Sequence, residues 1–428
     1  MLSSPAEVLN EQQLDTLLEL DQFAKPDSST KTFGLFGYAG TGKSTVLSFF
    51  GQAASARQHR IVFAAPTHKA VAVLQHMADP DTIVPQHNNF QTVAKLLNMK
   101  AVVDEDGRRE FRPDITHWSD ARISQFNMVI VDECSMLSRD VYTWIMEAQE
   151  ALGFRVIFVG DPLQLPPVKE ENVNGGRSLA FNVERQTTLT QVERFSGDIA
   201  KVVSQVRRFI GTGVAPVFKN TDTTIRHGGS TTFLNAYLEH AATGQIIAYR
   251  NEMVRTANEW VRRKIFGDNA PAFVPGERLV AADTTKHWHV HQEFVVSSAD
   301  IVKHPSNGMV CWRLRFEGSF MDVYTMDMTQ KPALKARLDA IKDDINRTKS
   351  ANPNASVSSK WENFYELKDT FPEFRPGYAQ TIHASQGSTY KQVFVMERDI
   401  SRIKRDQEFY GKMLYVAYSR ASQLLHVL

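Results

Sequence analysis

Cysteine is nearly absent: the 428-residue chain holds two, Cys134 and Cys311, far apart and without zinc-ligand spacing. That argues against a disulfide framework or a zinc module, and makes a reducing cytoplasm the expected setting. Long apolar runs are missing too. No stretch approaches the ~18 residues that span a bilayer, so no membrane segment is expected. The opening residues MLSSPAEVLN lack the basic start and apolar core of a secretory leader. Charge of one sign is also scarce, with 49 Lys and Arg against 48 Asp and Glu, a net of +1. This balance neither supports nor excludes nucleic acid, because a groove needs local and not total positive charge. There is no internal repeat and no long low-complexity tract. What is present is the composition of a soluble globular protein, 42% hydrophobic and 23% charged, with a length expected for two to four domains.

Along the chain, Leu9, Leu14, Leu17, Leu18 and Phe23 recur near helical spacing within residues 9–24. A Pro/Asp/Ser loop follows, then a short apolar strand, Thr32 to Phe36, that ends in a glycine-rich turn. Residues 60–65, 127–132 and 155–160 repeat that pattern, each an apolar run closed by Pro, Asp or Gly. Helix-length segments lie between them. Such alternation predicts crossover units and a parallel sheet buried on both faces, hence an α/β fold. Residues 98–126 interrupt it, with two short strands expected around Asp106-Gly107 as a hairpin. Residues 211–232 read as a Gly/Thr-rich loop, and a second α/β region is expected from Gln245. Residues 277–330 look strand-rich, 331–349 read as a charged helix, and 378–428 return to short strands and one helix.

Residues Gly37 to Ser44 (GYAGTGKS) match the G-x-x-x-x-G-K-[ST] pattern between an expected strand and an expected helix. Gly37, Gly40 and Gly42 let the backbone N–H groups of the loop, with Thr41 and Thr45, curl around phosphates. The helix start adds favourable partial charge. Lys43 is then the β/γ-phosphate ligand and Ser44 the Mg²⁺ ligand. A glycine turn with a surface lysine is the alternative. Asp132 and Glu133 follow the apolar run Met128–Val131. Asp132 is placed to reach Mg²⁺, and Glu133 to orient and deprotonate the attacking water. On its own such a pair is a helix cap; beside a phosphate loop it points to ATP hydrolysis. Gln164, in GDPLQLPPV, is a candidate γ-phosphate sensor, with a proline-rich turn as the alternative.

GYAGTGKST, AAPTHKA, VDECSM, GDPLQLPPV, TIHASQGSTY and YVAYSR stand in order from residue 37 to 420. Together they resemble the motifs of superfamily 1 helicases, most closely the RecD/Dda branch that moves 5′ to 3′. The chain's size and its L-x-E-x-Q start (Leu9, Glu11, Gln13) are similar to phage-type Dda helicases. The resemblance implies two RecA-like domains with ATP and Mg²⁺ in the cleft between them. It implies domains at 1–190 (with the hairpin 98–126), 191–285 and 376–428, and a β-rich, SH3-like insert at 286–375. It assigns Gln13 to adenine, Gln386 and Gly387 to the nucleotide, and Arg194 and Arg420 to the γ-phosphate as arginine fingers. It assigns Thr67, His68 and Thr92, and on the second domain Thr381 and His383, to single-stranded DNA.

The hairpin occupies the place of a strand-separating wedge, with Phe111 either the aromatic that meets the last base pair or the filling of a local core. Trp288, Trp312, Trp361 and Phe364 read as core of the insert, with part of a DNA channel wall as the alternative. Arg255, Arg262, Arg263 and Lys264 read as a solvated basic face, with contact to the DNA backbone as the alternative. The expected activity is ATP-driven 5′-to-3′ translocation on single-stranded DNA with unwinding of duplex or forked DNA, in replication, recombination or repair. The expected form is a monomer in bacterial or phage-infected cytoplasm, working beside a single-strand binding protein or replication proteins. The alternatives are a DNA-stimulated remodeller with little unwinding and a small-molecule P-loop ATPase or kinase. TIHASQG and YVAYSR argue against the second, since a kinase has no use for another motor domain.

Overall fold

The computed structural model describes residues 5–77, 89–103, 109–167, 177–192, 197–283, 288, 290–353 and 355–428. They form two compact units. One comprises Met1–Met99, Pro113–Tyr249 and Ser385–Leu428; the other comprises Lys100–Arg112 and Arg250–Ala384. No helix among the described residues is long and apolar enough to cross a membrane.

The first unit carries two parallel, RecA-like sheets. Strands β1 (Thr32–Gly37), β2 (Ile61–Ala65) and β3 (Phe90–Thr92) come first. After the pair β4 (Met99–Val103) and β5 (Arg109–Pro113), the chain adds β6 (Met128–Val131), β7 (Arg155–Gly160) and β8 (Gln186–Leu189). The six parallel strands lie in the order β3-β2-β6-β7-β1-β8. Their side chains alternate between faces, as the pleat demands. Phe33, Leu35, Phe63, Ile130 and Ile157 join the core on one face; Val62, Val129, Val131, Val156 and Phe158 join the core on the other. Each such fully buried side chain contributes about 1.5–3 kcal/mol.

Helix Glu11–Ala24 covers the first face. The Asn10 side chain caps it, and Gln13, Thr16, Leu20 and Phe23 form its buried stripe. Leu18, two residues from both Thr16 and Leu20, turns to the opposite side and is 61% exposed, contrary to its expected place on the apolar face. From β1, helix Lys43–Ala56 leads to β2, which lies beyond β7 and β6 in the sheet. This separation opens a crevice at the carboxyl ends of the strands, where an α/β sheet receives ligands.

The second parallel sheet is formed by β9 (Thr224–Arg226), β10 (Gly244–Ala248), β17 (Tyr390–Val395) and β18 (Ala421–Val427), in the order β10-β17-β18-β9. The stretch 211–232, expected as a loop, thus contains a strand paired with β18 and the start of helix Ser230–Leu238. A three-residue strand is too short for its periodicity to show. Residues 378–428 also hold one more short helix, Glu397–Ile400, than expected, before helix Gln407–Tyr418.

The second unit is organised by an antiparallel sheet. Its strands are β11 (Arg278–Ala281), β12 (Glu293–Lys303), β13 (Val310–Phe316), β14 (Val323–Thr325) and β15 (Phe374–Pro376), in the order β14-β13-β12-β11-β15. The short strand β16 (Ala379–Thr381) follows. The sheet starts at Arg278, eight residues before the expected insert boundary at 286, because β11 pairs with both β12 and β15. Trp288, Trp312, Phe316 and Phe374 are buried in its core, as expected. Phe364 is also buried, and Trp361 packs edge-on against it at 5.5 Å. Helix Asn251–Phe266 presents buried Asn258, whose side chain accepts from the Tyr378 and Ala379 N–H groups and donates to Ala379 O. Helix Lys331–Ala351 is the charged helix expected at 331–349, with Ile345 its buried residue.

Candidate nucleotide site

In the first unit β1 runs into the loop Gly37–Gly42, and Gly40 and Gly42 both take φ of 81°. Only glycine holds that left-handed conformation without strain. A side chain on Gly42 would also collide with the amide of Gln13. The helix that follows has no side-chain cap. Its first N–H groups are therefore free to meet an anion. Thr41 is buried, Thr45 is exposed, and Ser44 lines the cavity beside the helix start.

Gln13 is buried and braces this loop. Its Nε2 donates to Thr41 O at 3.0 Å, while its Oε1 accepts the Asn10 N–H at 3.0 Å. One amide hydrogen and one lone pair remain for a ligand. The neighbouring Gln12 ties the same helix to the end of β8, donating to Thr188 O at 3.1 Å and accepting the Thr190 N–H at 3.0 Å.

Lys43 Nζ donates to the carbonyls of Gly37 and Tyr38 at 2.8 and 3.0 Å. It is held by neutral oxygens, and no carboxylate among the described residues forms an ion pair with it. At the end of β6, Asp132 Oδ1 accepts the Glu133 N–H at 2.8 Å. Glu133 stands at φ 52°, ψ 39°, a sparsely populated region for a side-chain-bearing residue. A side chain on Gly387 would lie 3.4 Å from Ala70 Cβ and 3.8 Å from Glu133 Oε1. The bare backbone at Gly387 leaves that space open. Buried Gln386 donates to Gln164 Oε1 at 3.4 Å and Leu165 O at 3.5 Å, long contacts that a ligand can displace.

Arg420 is buried at the end of helix Gln407–Tyr418. Its Nε donates to Val416 O, Nη1 to Ser388 O and Nη2 to Ser419 Oγ, at 3.0–3.1 Å. A guanidinium has five donors, so one hydrogen on each Nη is left. A cavity of about 260 Å³ brings together Gly40, Gly42, Lys43, Ser44, Asp132, Glu133, Gln164, Gly387 and Arg420. A larger cavity, about 730 Å³, lies elsewhere in this unit around the Arg226–Glu397 ion pair and contains none of these residues.

Two groups beside the site carried no role in the sequence reading. Asp161, after β7, is fully buried; its Oδ2 accepts the Tyr415 hydroxyl at 2.6 Å and its Oδ1 the Leu163 N–H at 2.9 Å. Burial pushes the Asp161 carboxyl up, against the opposing pull of Lys43 and the Tyr415 hydroxyl. The signal was present, since Asp161 precedes Gln164 in GDPLQLPPV and Tyr415 opens YVAYSR. Cys134, also beside the site, is buried, and burial holds its thiol well above the ordinary range, with Asp132 and Glu133 adding to the shift. It is an inert thiol at neutral pH.

The residues assigned to DNA are placed as follows. Thr67 Oγ1 accepts the Ala70 N–H at 3.2 Å, and His68 is exposed at the start of its helix. Thr92 is buried and spends its hydroxyl capping helix Val93–Leu96, accepting the Lys95 N–H at 3.2 Å. In the second unit, Thr381 Oγ1 accepts the Ala384 N–H at 3.2 Å, and His383 is half-buried. Phe111 on β5 is 51% exposed, so it does not fill a local core. Arg262 makes a two-pronged ion pair with Glu277, whose side chain is fully buried, and is therefore no part of a solvated face. Arg194 and the turn Asp106-Gly107 lie outside the described residues.

A phosphate loop at the end of a parallel strand and an arginine just beyond helix Gln407–Tyr418 line one cavity, the arrangement of a P-loop nucleotide-binding protein with two RecA-like sheets. The chain belongs to the AAA-domain family, whose model matches residues 9–223, half of its length. Residues 376–428 match the UvrD-like helicase C-terminal domain. An uncharacterized protein of Acanthamoeba polyphaga mimivirus, R530, is 23% identical, covering 98% of this chain and 99% of its own. Among solved structures, Pif1 helicases described as coordinating to unwind forked dsDNA match with a TM-score of 0.55 and 15% identity, over 98% of this chain and 92% of theirs. Pif1 helicase from Candida albicans matches with a TM-score of 0.51 and 15% identity, over 98% and 94%. Pif1 helicase from Bacteroides, in complex with ADP-AlF3 and ssDNA, matches with a TM-score of 0.50 and 14% identity, over 98% and 92%.

Proposed function

We propose that this chain is an ATP-dependent DNA helicase that translocates 5′ to 3′ on single-stranded DNA and unwinds duplex ahead of it. The observation that carries this reading is the single cavity where Lys43, Asp132, Glu133 and Gln164 from one sheet meet Arg420 from the other. Lys43 exchanges the carbonyls of Gly37 and Tyr38 for phosphate oxygens when ATP enters. Ser44 and Asp132 would hold Mg²⁺, which neutralises phosphate charge when bound. The uncapped helix start and the left-handed glycines suit the phosphates, and the oxygens of Ser44 and Asp132 in the same cavity suit the metal. Glu133 takes a proton from the water that attacks the γ-phosphorus. The two spare donors of Arg420 meet the charge that spreads over the γ-phosphoryl oxygens. Gln164, bridged to Gln386, senses loss of that group. Gln13 offers its remaining donor and acceptor to adenine, and Arg194 is the second finger.

Single-stranded and forked DNA are the partners on this reading, since the solved Pif1 relatives are described with both. On this reading Thr67, His68 and Thr92 of the first unit contact single-stranded DNA, as do Thr381 and His383 of the second, with Thr92 acting through its backbone because its hydroxyl is already a cap. The exposure of Phe111 favours unwinding over translocation alone, because a free ring can stack on the last base pair. Direction follows the RecD/Dda resemblance. Strand displacement from duplexes bearing either a 5′ or a 3′ single-stranded tail tests it: ATP-dependent displacement from the 5′-tailed substrate is expected. Displacement from the 3′-tailed substrate alone would reverse the assignment.

A further inference from the structure

The phosphate loop carries one contact that the catalytic roles above leave unexplained. Ala39 N–H donates to the Tyr415 hydroxyl at 2.7 Å, and that hydroxyl donates to Asp161 Oδ2 at 2.6 Å. The chain runs one way, from amide to phenol to carboxylate, and ends on a fully buried negative group. It joins two sheets, because Asp161 follows β7 of the first while Tyr415 lies on helix Gln407–Tyr418 of the second. Arg420 stands five residues after Tyr415 and is bonded back to Val416 O of the same helix. Whatever fixes the Tyr415 hydroxyl against Ala39 therefore also fixes the distance from Arg420 to the phosphate loop.

We propose that Tyr415 is a positioning residue, whose hydroxyl holds the arginine-bearing helix in register with the phosphate loop through Ala39 and Asp161. The inference rests on the ATP-hydrolysis reading above. Tyr418, three residues along the same helix, shows what a merely structural tyrosine looks like here. Its hydroxyl also donates to a carboxylate, Glu397 Oε2 at 2.8 Å, but touches no part of the phosphate loop. Lys43 and Arg420 are the other charged groups that act on the Asp161–Tyr415 pair.

The test is steady-state ATP hydrolysis by the full chain, with kcat and KM resolved, for Tyr415→Phe, Asp161→Asn, the double variant and Tyr418→Phe. Phenylalanine keeps the buried ring and removes only the hydroxyl. A hydrogen bond to a charged group sets the expected loss at about tenfold in kcat for each of the first two, with KM changed by less than roughly twofold. The double variant should be no slower than the slower single one, since the pair acts as a unit. Tyr418→Phe should stay within roughly twofold of the parent in kcat even where its melting temperature falls. A Tyr415→Phe kcat equal to the parent's, or losses that multiply in the double variant, would overturn the proposal. Asp161→Asn reads the same contact from its other end if Tyr415→Phe is poorly soluble. A parent enzyme that single-stranded DNA does not stimulate sinks the motor reading alone, and Tyr415 then stands or falls on the DNA-free kcat ratio. A parent that hydrolyses no ATP removes both.

Discussion

The candidate nucleotide site and the antiparallel-sheet unit hold their basic side chains differently, although elsewhere in the first unit Arg57, Lys201, Arg226 and Lys412 also pair with acids. In the second, cations sit on acids: Arg262 on Glu277, Arg313 on Asp300, Arg315 on Asp322 and Lys360 on Asp344. In the first, Lys43 and Arg420 are half-buried or buried yet rest on carbonyl and hydroxyl oxygens. A cation held by a buried carboxylate is a fixed structural element, because removing either partner strands a charge. A cation held by neutral oxygens keeps its attraction for an incoming anion and gives up little to reach it. Lys43 and Arg420 thus stand apart from the cations paired with acids, and their place in one cavity sets them apart from Arg155, which also rests on carbonyls.

The comparison can be broken at either end. The largest effect is expected for Arg420→Ala, with kcat for ATP falling by roughly 10³–10⁵. The urea midpoint should fall as well, since the buried arginine leaves three acceptors behind, but no charge is stranded and enough folded protein should remain to assay. A stability loss large enough to unfold the protein, with kcat preserved in the folded fraction, would make Arg420 structural. Arg262→Ala should behave in reverse. It leaves Glu277 buried without its partner and should cost about 3–5 kcal/mol of stability by denaturant unfolding. The kcat of the protein that remains folded should hold near the parent value. If instead kcat fell with stability unchanged, the division between fixed and working cations would be wrong.

Legibility in the sequence followed the same line. The first sheet was readable because β1 and β6 end in loops whose residue types are dictated by phosphate chemistry, Gly37–Ser44 and Asp132-Glu133. Parallel strands buried on both faces also give unbroken apolar runs, and β2, β6 and β7 stand where those runs were. The antiparallel sheet was recognised as strand-rich from residue 277, β11 included, but its last strand β15 was not, since it is three residues long and pairs with β11 nearly a hundred residues away. β9 was missed for the same reason: three residues carry no period. Arg262 was read as solvated because nothing local announces Glu277, fifteen residues on, as its buried partner. Leu18 was placed on the apolar face by approximate helical spacing, whereas the polar Gln13 and Thr16 hold the buried stripe. Gln13 is there because its amide is satisfied on both sides by Asn10 and Thr41. The Tyr415–Asp161 contact joins residues 254 apart, a pairing visible only after folding.

The central claim is that the cavity holding Lys43, Glu133 and Arg420 is an ATP site closed by DNA. Steady-state ATP hydrolysis with and without a single-stranded oligonucleotide, across a range of salt concentrations, tests it most directly, with Lys43→Ala as the control. Strong stimulation that fades as salt rises is expected, because the strand is gripped through its phosphates, and the Lys43→Ala variant should be inactive throughout. Rapid hydrolysis indifferent to DNA would contradict the account, as would a Lys43→Ala variant that hydrolyses ATP at the parent rate.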